Sequence, residues 1–122
     1  MELIETPLPG VFRIRNFTAT DPRGTFVKPF NADAFRDSGL QSVFTESYYS
    51  VSHQHVIRGM HFQLPPHAHE KIVYVTQGQI LDVIVDLRRQ SPAYRQYVTL
   101  ELNELGDSVY IPKGCAHGFL SR

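Results

Sequence analysis

Histidine is the side chain best suited to acid–base and metal chemistry near neutral pH, and this 122-residue chain carries six of them. His67 and His69 are two residues apart. On an extended strand, residues at that spacing share a face, so both imidazoles could point at one ion. With His117 as a third nitrogen ligand, one coordination position would stay open, as in catalytic zinc sites. Against this, both histidines follow Pro65-Pro66 in a stretch that reads as a loop. His53 and His55 also fall in a loop-like stretch and read as ordinary histidines with a hydrogen-bond partner. Asp82 and Asp86 alternate with Ile84 in an apolar run, facing either a polar pocket or the outside of the fold, with solvent the expectation. Cys115 is the sole cysteine, so no intrachain disulfide forms and a reducing compartment is the simpler reading.

Charge narrows the partners. Lys plus Arg equals Asp plus Glu at 12 each, which removes the usual electrostatic case for nucleic acid or an anionic membrane. A few local arginines can still hold a small anionic substrate such as a diphosphate. The opening MELIETPLPG has no apolar core of a signal peptide, and no run approaches the ~20 apolar residues of a membrane span. The expectation is a cytoplasmic protein with a single domain over residues 1–122.

The elements that must position these side chains are strands. Short β-rich runs recur between Gly, Pro, Asn and Asp punctuation: VFRIRNF, GTFVKPF, FTESYYSVS, IRGMHFQ, KIVYVTQG, QILDVIVDLR, YRQYVTLEL, SVYIP and HGFL. Such spacing predicts an all-β antiparallel sandwich or barrel. From Gln79 to Leu87 the alternation is clear: Leu81, Val83, Val85 and Leu87 share one face, and Ile80, Asp82, Ile84 and Asp86 the other. The single helical candidate runs from Asn31 to Ser38, with Asn31 as cap and Gly39 as stop. Tyr48, Tyr49 and Tyr74 are expected to pack on the barrel with exposed hydroxyls.

Near the C-terminus, Gly106, Pro112, Gly114 and His117 resemble the second cupin motif, with Ser121 where an Asn is usual. His67, His69 and Gly78 resemble half of the first, whose Glu is replaced by Val73-Tyr74. The resemblance implies a cupin-type jelly-roll β-barrel with at most one or two short helices. A longer likeness lies over these. Arg58-Gly59-Met60-His61-Phe62-Gln63, then Pro65-Pro66 and Lys71-Ile72-Val73, is similar to the RG-x-H-F-Q…PP…K-[IL]-V segment of dTDP-4-dehydrorhamnose 3,5-epimerases. Asp21-Pro22-Arg23-Gly24-Thr25-Phe26, Asp82-Val83, Val85-Asp86-Leu87-Arg88, Ser91-Pro92, Tyr94 and Ile111 through Phe119 extend the match from about residue 10 to the chain end.

That family resemblance implies a cofactor-free epimerase acting on a nucleotide-linked 4-keto-6-deoxyhexose in deoxysugar and surface-polysaccharide biosynthesis. It makes His61 the general base that takes a proton next to the C4 ketone, and Lys71 the cation at the enolate oxygen. It places substrate contacts at Arg23, Arg58, Gln63, His117 and Glu46. It also implies a homodimer with swapped N-terminal strands, across which Arg23 reaches a neighbouring site. Arg23 reads equally well as a plain turn residue. The family's Q-x-N-H-S reads Glu46-Ser47-Tyr48-Tyr49-Ser50 here, pointing to altered nucleotide contacts. The family pattern continues past the HGF segment with an opposite-face tyrosine acid and an aspartate that orients the base. Neither has a position in these residues. Two rivals are a metal-dependent cupin enzyme built on His67, His69 and His117, and a non-catalytic sugar-nucleotide binding barrel.

Overall fold

The computed structural model describes all 122 residues, which form ten strands and one short helix. In chain order these are β1 (Glu2–Glu5), β2 (Phe12–Arg15), β3 (Phe17–Asp21), β4 (Gly24–Lys28), α1 (Ala32–Asp37), β5 (Ile57–His61), β6 (Lys71–Tyr74), β7 (Gln79–Asp86), β8 (Tyr97–Asn103), β9 (Asp107–Ile111) and β10 (Cys115–Ser121). Two four-stranded antiparallel sheets result, ordered β1-β2-β9-β6 and β5-β10-β7-β8, with β3-β4 as a separate ribbon. The antiparallel all-β architecture read from the spacing is the one observed.

Alternation along each strand decides what lies between the sheets. Ile84 and Leu102 from one sheet meet Val109 and Ile111 from the other, joined by Leu8, Val11, Ala93 and Cys115 in one buried cluster. The opposite face of the first sheet is covered too: Ile14 and Tyr110 pack with Phe35 of α1, and Leu40, Phe44 and Ile72 complete the layer. The helix forms as its sequence dictates. Asn31 caps it by accepting from the Ala34 N–H, and Gly39, at φ +75°, follows its end.

Three sequence expectations need correction. The run FTESYYSVS forms no strand. Its β-propensity finds no partner strand, and Tyr48 and Tyr49 stand 80% and 86% exposed instead of packing on the barrel. Just before it, the backbone turns to side chains: Tyr110 Oη accepts from the Gln41 N–H, and Gln41 Oε1 accepts from Ser42 and Val43. The run VFRIRNF, expected as one element, is split at Asn16. There the buried residue leaves the ladder, its N–H donating to the Gly106 carbonyl and its side-chain amide to Ser108 Oγ. Finally, Asp82 and Asp86 do not face solvent. Both are fully buried, because they share the inward face of β7 with Ile84.

Candidate active site

β5 and β6 follow one another in the chain, and each is the edge strand of a different sheet. The link between them, residues 62–70, carries Gln63, the proline pair and the two close histidines. The strands themselves bring His61 and Lys71 to the open edges of the sandwich. Lys71 starts β6 and alternates with Val73, which packs on the central core, so both project from the inner face. Lys71 is half-buried and takes part in no ion pair. Burial holds its ammonium pKa below the ordinary lysine value. A partly desolvated cation without a counter-ion is suited to receive a developing oxyanion.

Across the interior, three neighbouring strands contribute a polar row. Asp82 on β7 lies beside His117 on β10, whose Nδ1 is 3.2 Å from both carboxylate oxygens. Asp82 is fully buried and the His117 side chain 12% exposed. Burial pushes the Asp82 carboxyl up, and the bond and charge of His117 offset part of that rise. On the other side of β10, His61 of β5 is the direct cross-strand partner of His117, so the two imidazoles share a face.

The glycines that follow Arg58 and His117 make this row possible. A Cβ on Gly118 would lie 2.7 Å from the Arg58 carbonyl oxygen, and one on Gly59 2.6 Å from Gly118 Cα. β5 and β10 therefore approach closer than side chains permit, and the ladder register shifts between His117 and Phe119 at that crossing.

Other expected contacts are dispersed. The Arg58 guanidinium donates to Ser52 Oγ at 2.9 Å and to the Val51 carbonyl, tying it to the irregular segment before β5. Gln63 and Glu46 are exposed. Arg23 sits in the turn between β3 and β4, 90% exposed, with its guanidinium on Asp21. The ribbon pairs with neither main sheet, so Arg23 is not brought to His61 and Lys71 by any ladder. His67 and His69 do not converge with His117. His69 Nδ1 is 2.8 Å from the His67 carbonyl oxygen, and no three His, Cys, Asp or Glu groups gather as a metal site. The three-histidine reading has no geometric basis here, because both histidines lie in the β5–β6 loop instead of on a strand.

Two buried groups are structural. Asp86 accepts from the Arg88 N–H and guanidinium and from Ser91 Oγ, while Arg88 also donates to the Pro9 carbonyl. That network pins the start of the chain to the link between β7 and β8. Cys115 beside it has its thiol pushed up to about 11 by burial, so it stays protonated at neutral pH. Sequence reasoning gave Asp82 only a minor place. The sequence carried no decisive signal for it, because Leu81, Val83, Val85 and Leu87 make the opposite face of that run the more apolar one.

Two antiparallel sheets packed face to face, with His61 and Lys71 on their two open edges, form a cupin-type barrel. The model of the dTDP-4-dehydrorhamnose 3,5-epimerase family matches residues 5–122, and the chain belongs to that family. It is 36% identical to the 3,5-epimerase of Shigella flexneri over 98% of this chain and 67% of that protein. It is 40% identical to the one from Methanothermobacter thermautotrophicus over 97% of this chain and 64% of that one. Among solved structures, the Bacillus anthracis 3,5-epimerase, crystallised with TDP and pyrophosphate, superposes with TM-score 0.93 at 35% identity, covering 98% of this chain and 70% of that one. A Legionella pneumophila epimerase in complex with dTDP-4-keto-L-rhamnose gives TM-score 0.92 at 33% identity, covering 98% and 64%. The chain spans about two thirds of the length of these relatives. No helix is long and apolar enough to cross a membrane.

Proposed function

We propose that this chain acts on a nucleotide-linked 4-keto-6-deoxyhexose, removing a proton from a carbon next to the ketone as the opening step of epimerisation. Membership of the family carries this reading, and the inner-face placement of Lys71 without a counter-ion supports it. A Cα–H next to a ketone is weakly acidic. Its removal needs a base that is neutral near pH 7 and a cation where the enolate oxygen forms. His61 is the base and Lys71 that cation. Arg58 and, from a second copy, Arg23 meet the diphosphate. His117, Gln63 and Glu46 line the remaining contacts. The step uses no cofactor. The 122 residues work as one domain, in a cytoplasmic homodimer that supplies deoxysugar for surface polysaccharide.

The test is deuterium wash-in. The chain is incubated in heavy water with dTDP-4-keto-6-deoxyglucose, and label is followed at the carbons flanking the ketone. Wash-in above the buffer rate supports the reading. Tight binding of the sugar nucleotide with no wash-in would instead establish the binding-barrel alternative.

A further inference from the structure

The inner face of β7 carries two fully buried carboxylates with different surroundings. Asp86 is saturated by Arg88 and Ser91, as a structural ion pair should be. Asp82 has a single donor within reach, His117 Nδ1, at 3.2 Å from each oxygen. No arginine, lysine or hydroxyl shares it. A buried carboxylate with one partner is retained at a cost, and that cost needs a compensating interaction.

We propose that Asp82 is a positioning residue: it holds His117 as the Nδ1–H tautomer and leaves Nε2 as the nitrogen that meets the substrate. Chemistry dictates the tautomer. If Nδ1 carried its lone pair, that lone pair would face two oxygens of a fully buried carboxylate. With the proton on Nδ1, the contact becomes a charge-assisted hydrogen bond, and Nε2 keeps its lone pair. The register shift immediately after His117 supports the same role, since such irregularities re-aim a side chain beside a site. His61 lies directly across the ladder, so an oriented Nε2 stands beside the proposed base.

The substrate contact rests on the proposed function; the tautomer does not. The experiment therefore has two arms. Nitrogen-15 NMR of the labelled full chain reads the His117 ring nitrogens in wild type and Asp82→Asn. The expected result is Nδ1–H in wild type and a shift toward Nε2–H in the variant, whose amide can donate to Nδ1. The second arm measures deuterium wash-in for wild type, Asp82→Asn, His117→Phe and the double variant. Asp82→Asn should slow exchange ~10- to 100-fold, the weight usual for a group that orients an imidazole. In the His117→Phe background the same change should alter the rate less than twofold, because nothing is left to orient. An unprotonated Nδ1 in wild type would overturn the proposal, as would a slowing by Asp82→Asn that is equal with and without His117. The wild-type spectrum decides the first point even if a variant fails to fold. If wild type shows no exchange, the proposed function fails while the NMR arm still decides the positioning.

Discussion

Replacing Arg88 with Met removes two of the four nitrogen and oxygen donors to Asp86, which also has the Cys115 thiol at 4.0 Å, while keeping most of the apolar side-chain volume. In the intact protein the carboxylate, fully buried, accepts from Arg88 Nε and a terminal guanidinium nitrogen at 2.9 Å each, from the Arg88 N–H at 3.0 Å and from Ser91 Oγ at 2.5 Å. The Arg88 side chain is 29% exposed, so solvent screens the pair only in part. Stranding one member of a buried pair costs ~3–5 kcal/mol. Two donors survive here, which favours the lower end of that range, and the lost bond to the Pro9 carbonyl adds to it. At roughly 4 °C per kcal/mol for a chain of this size, the midpoint should fall by ~10–15 °C. The sign of the pH dependence follows from Asp86. Burial pushes its carboxyl up, but bonds and charge from Arg88 and the bond from Ser91 outweigh that and leave it below the ordinary range. A depressed carboxyl contributes stability above the ordinary carboxylate range and loses it as pH falls through the folded value. The gap between wild type and Arg88→Met, read by urea unfolding, should therefore narrow below about pH 4. Arg13→Met, which breaks the more exposed pair with Asp107, serves as the control at ~1 kcal/mol or less. A loss for Arg88→Met no larger than this control, or a gap unchanged at low pH, would refute the reasoning.

Gly118→Ala would force a methyl to 2.7 Å from the Arg58 carbonyl and 2.9 Å from Met60 Sδ, so β5 must move from β10. A loss of ~1–3 kcal/mol in chemical unfolding is expected, with wash-in slowed as well; an unchanged midpoint would count against the close crossing. Because no three ligating groups converge, excess chelator should leave the thermal midpoint and wash-in unaltered. A metal held at one per chain and lost on His69→Ala would restore the metal-cupin rival. The β3–β4 ribbon exposes Phe17 and Phe26 and belongs to neither main sheet. An isolated two-stranded ribbon is marginal alone, so light scattering should find a dimer at micromolar concentration; a monomer would remove the shared-site reading of Arg23.

Local rules made much of this molecule legible. Asn31 and Gly39 bracket a short helix because cap chemistry is decided within a few residues. The alternation from Gln79 to Asp86 identified a strand and its two faces. It could not say which face was inside. The aspartates pointed outward by charge, and only their partners, Arg88 and Ser91 in the link after β7 and His117 on β10, make an inward carboxylate tolerable. The same limit explains FTESYYSVS, where a β-prone run lacked a neighbour to pair with. His61 and Lys71 were singled out through the family's ordered motifs. Their separation onto two edge strands, and the Asp82 bond to His117, depend on which strands become neighbours.

In the proposed reaction His61 takes the proton and Lys71 receives the charge that results. Deuterium wash-in at the carbons flanking the ketone of dTDP-4-keto-6-deoxyglucose, compared for wild type, His61→Ala and Lys71→Ala, tests it directly. Loss of a general base should slow exchange ~10²- to 10⁴-fold. Loss of the oxyanion cation should slow it ~10²- to 10³-fold. Both variants should keep wild-type unfolding midpoints within a few degrees, since neither side chain lies in the buried core. Exchange that persists at the wild-type rate in His61→Ala would contradict the account.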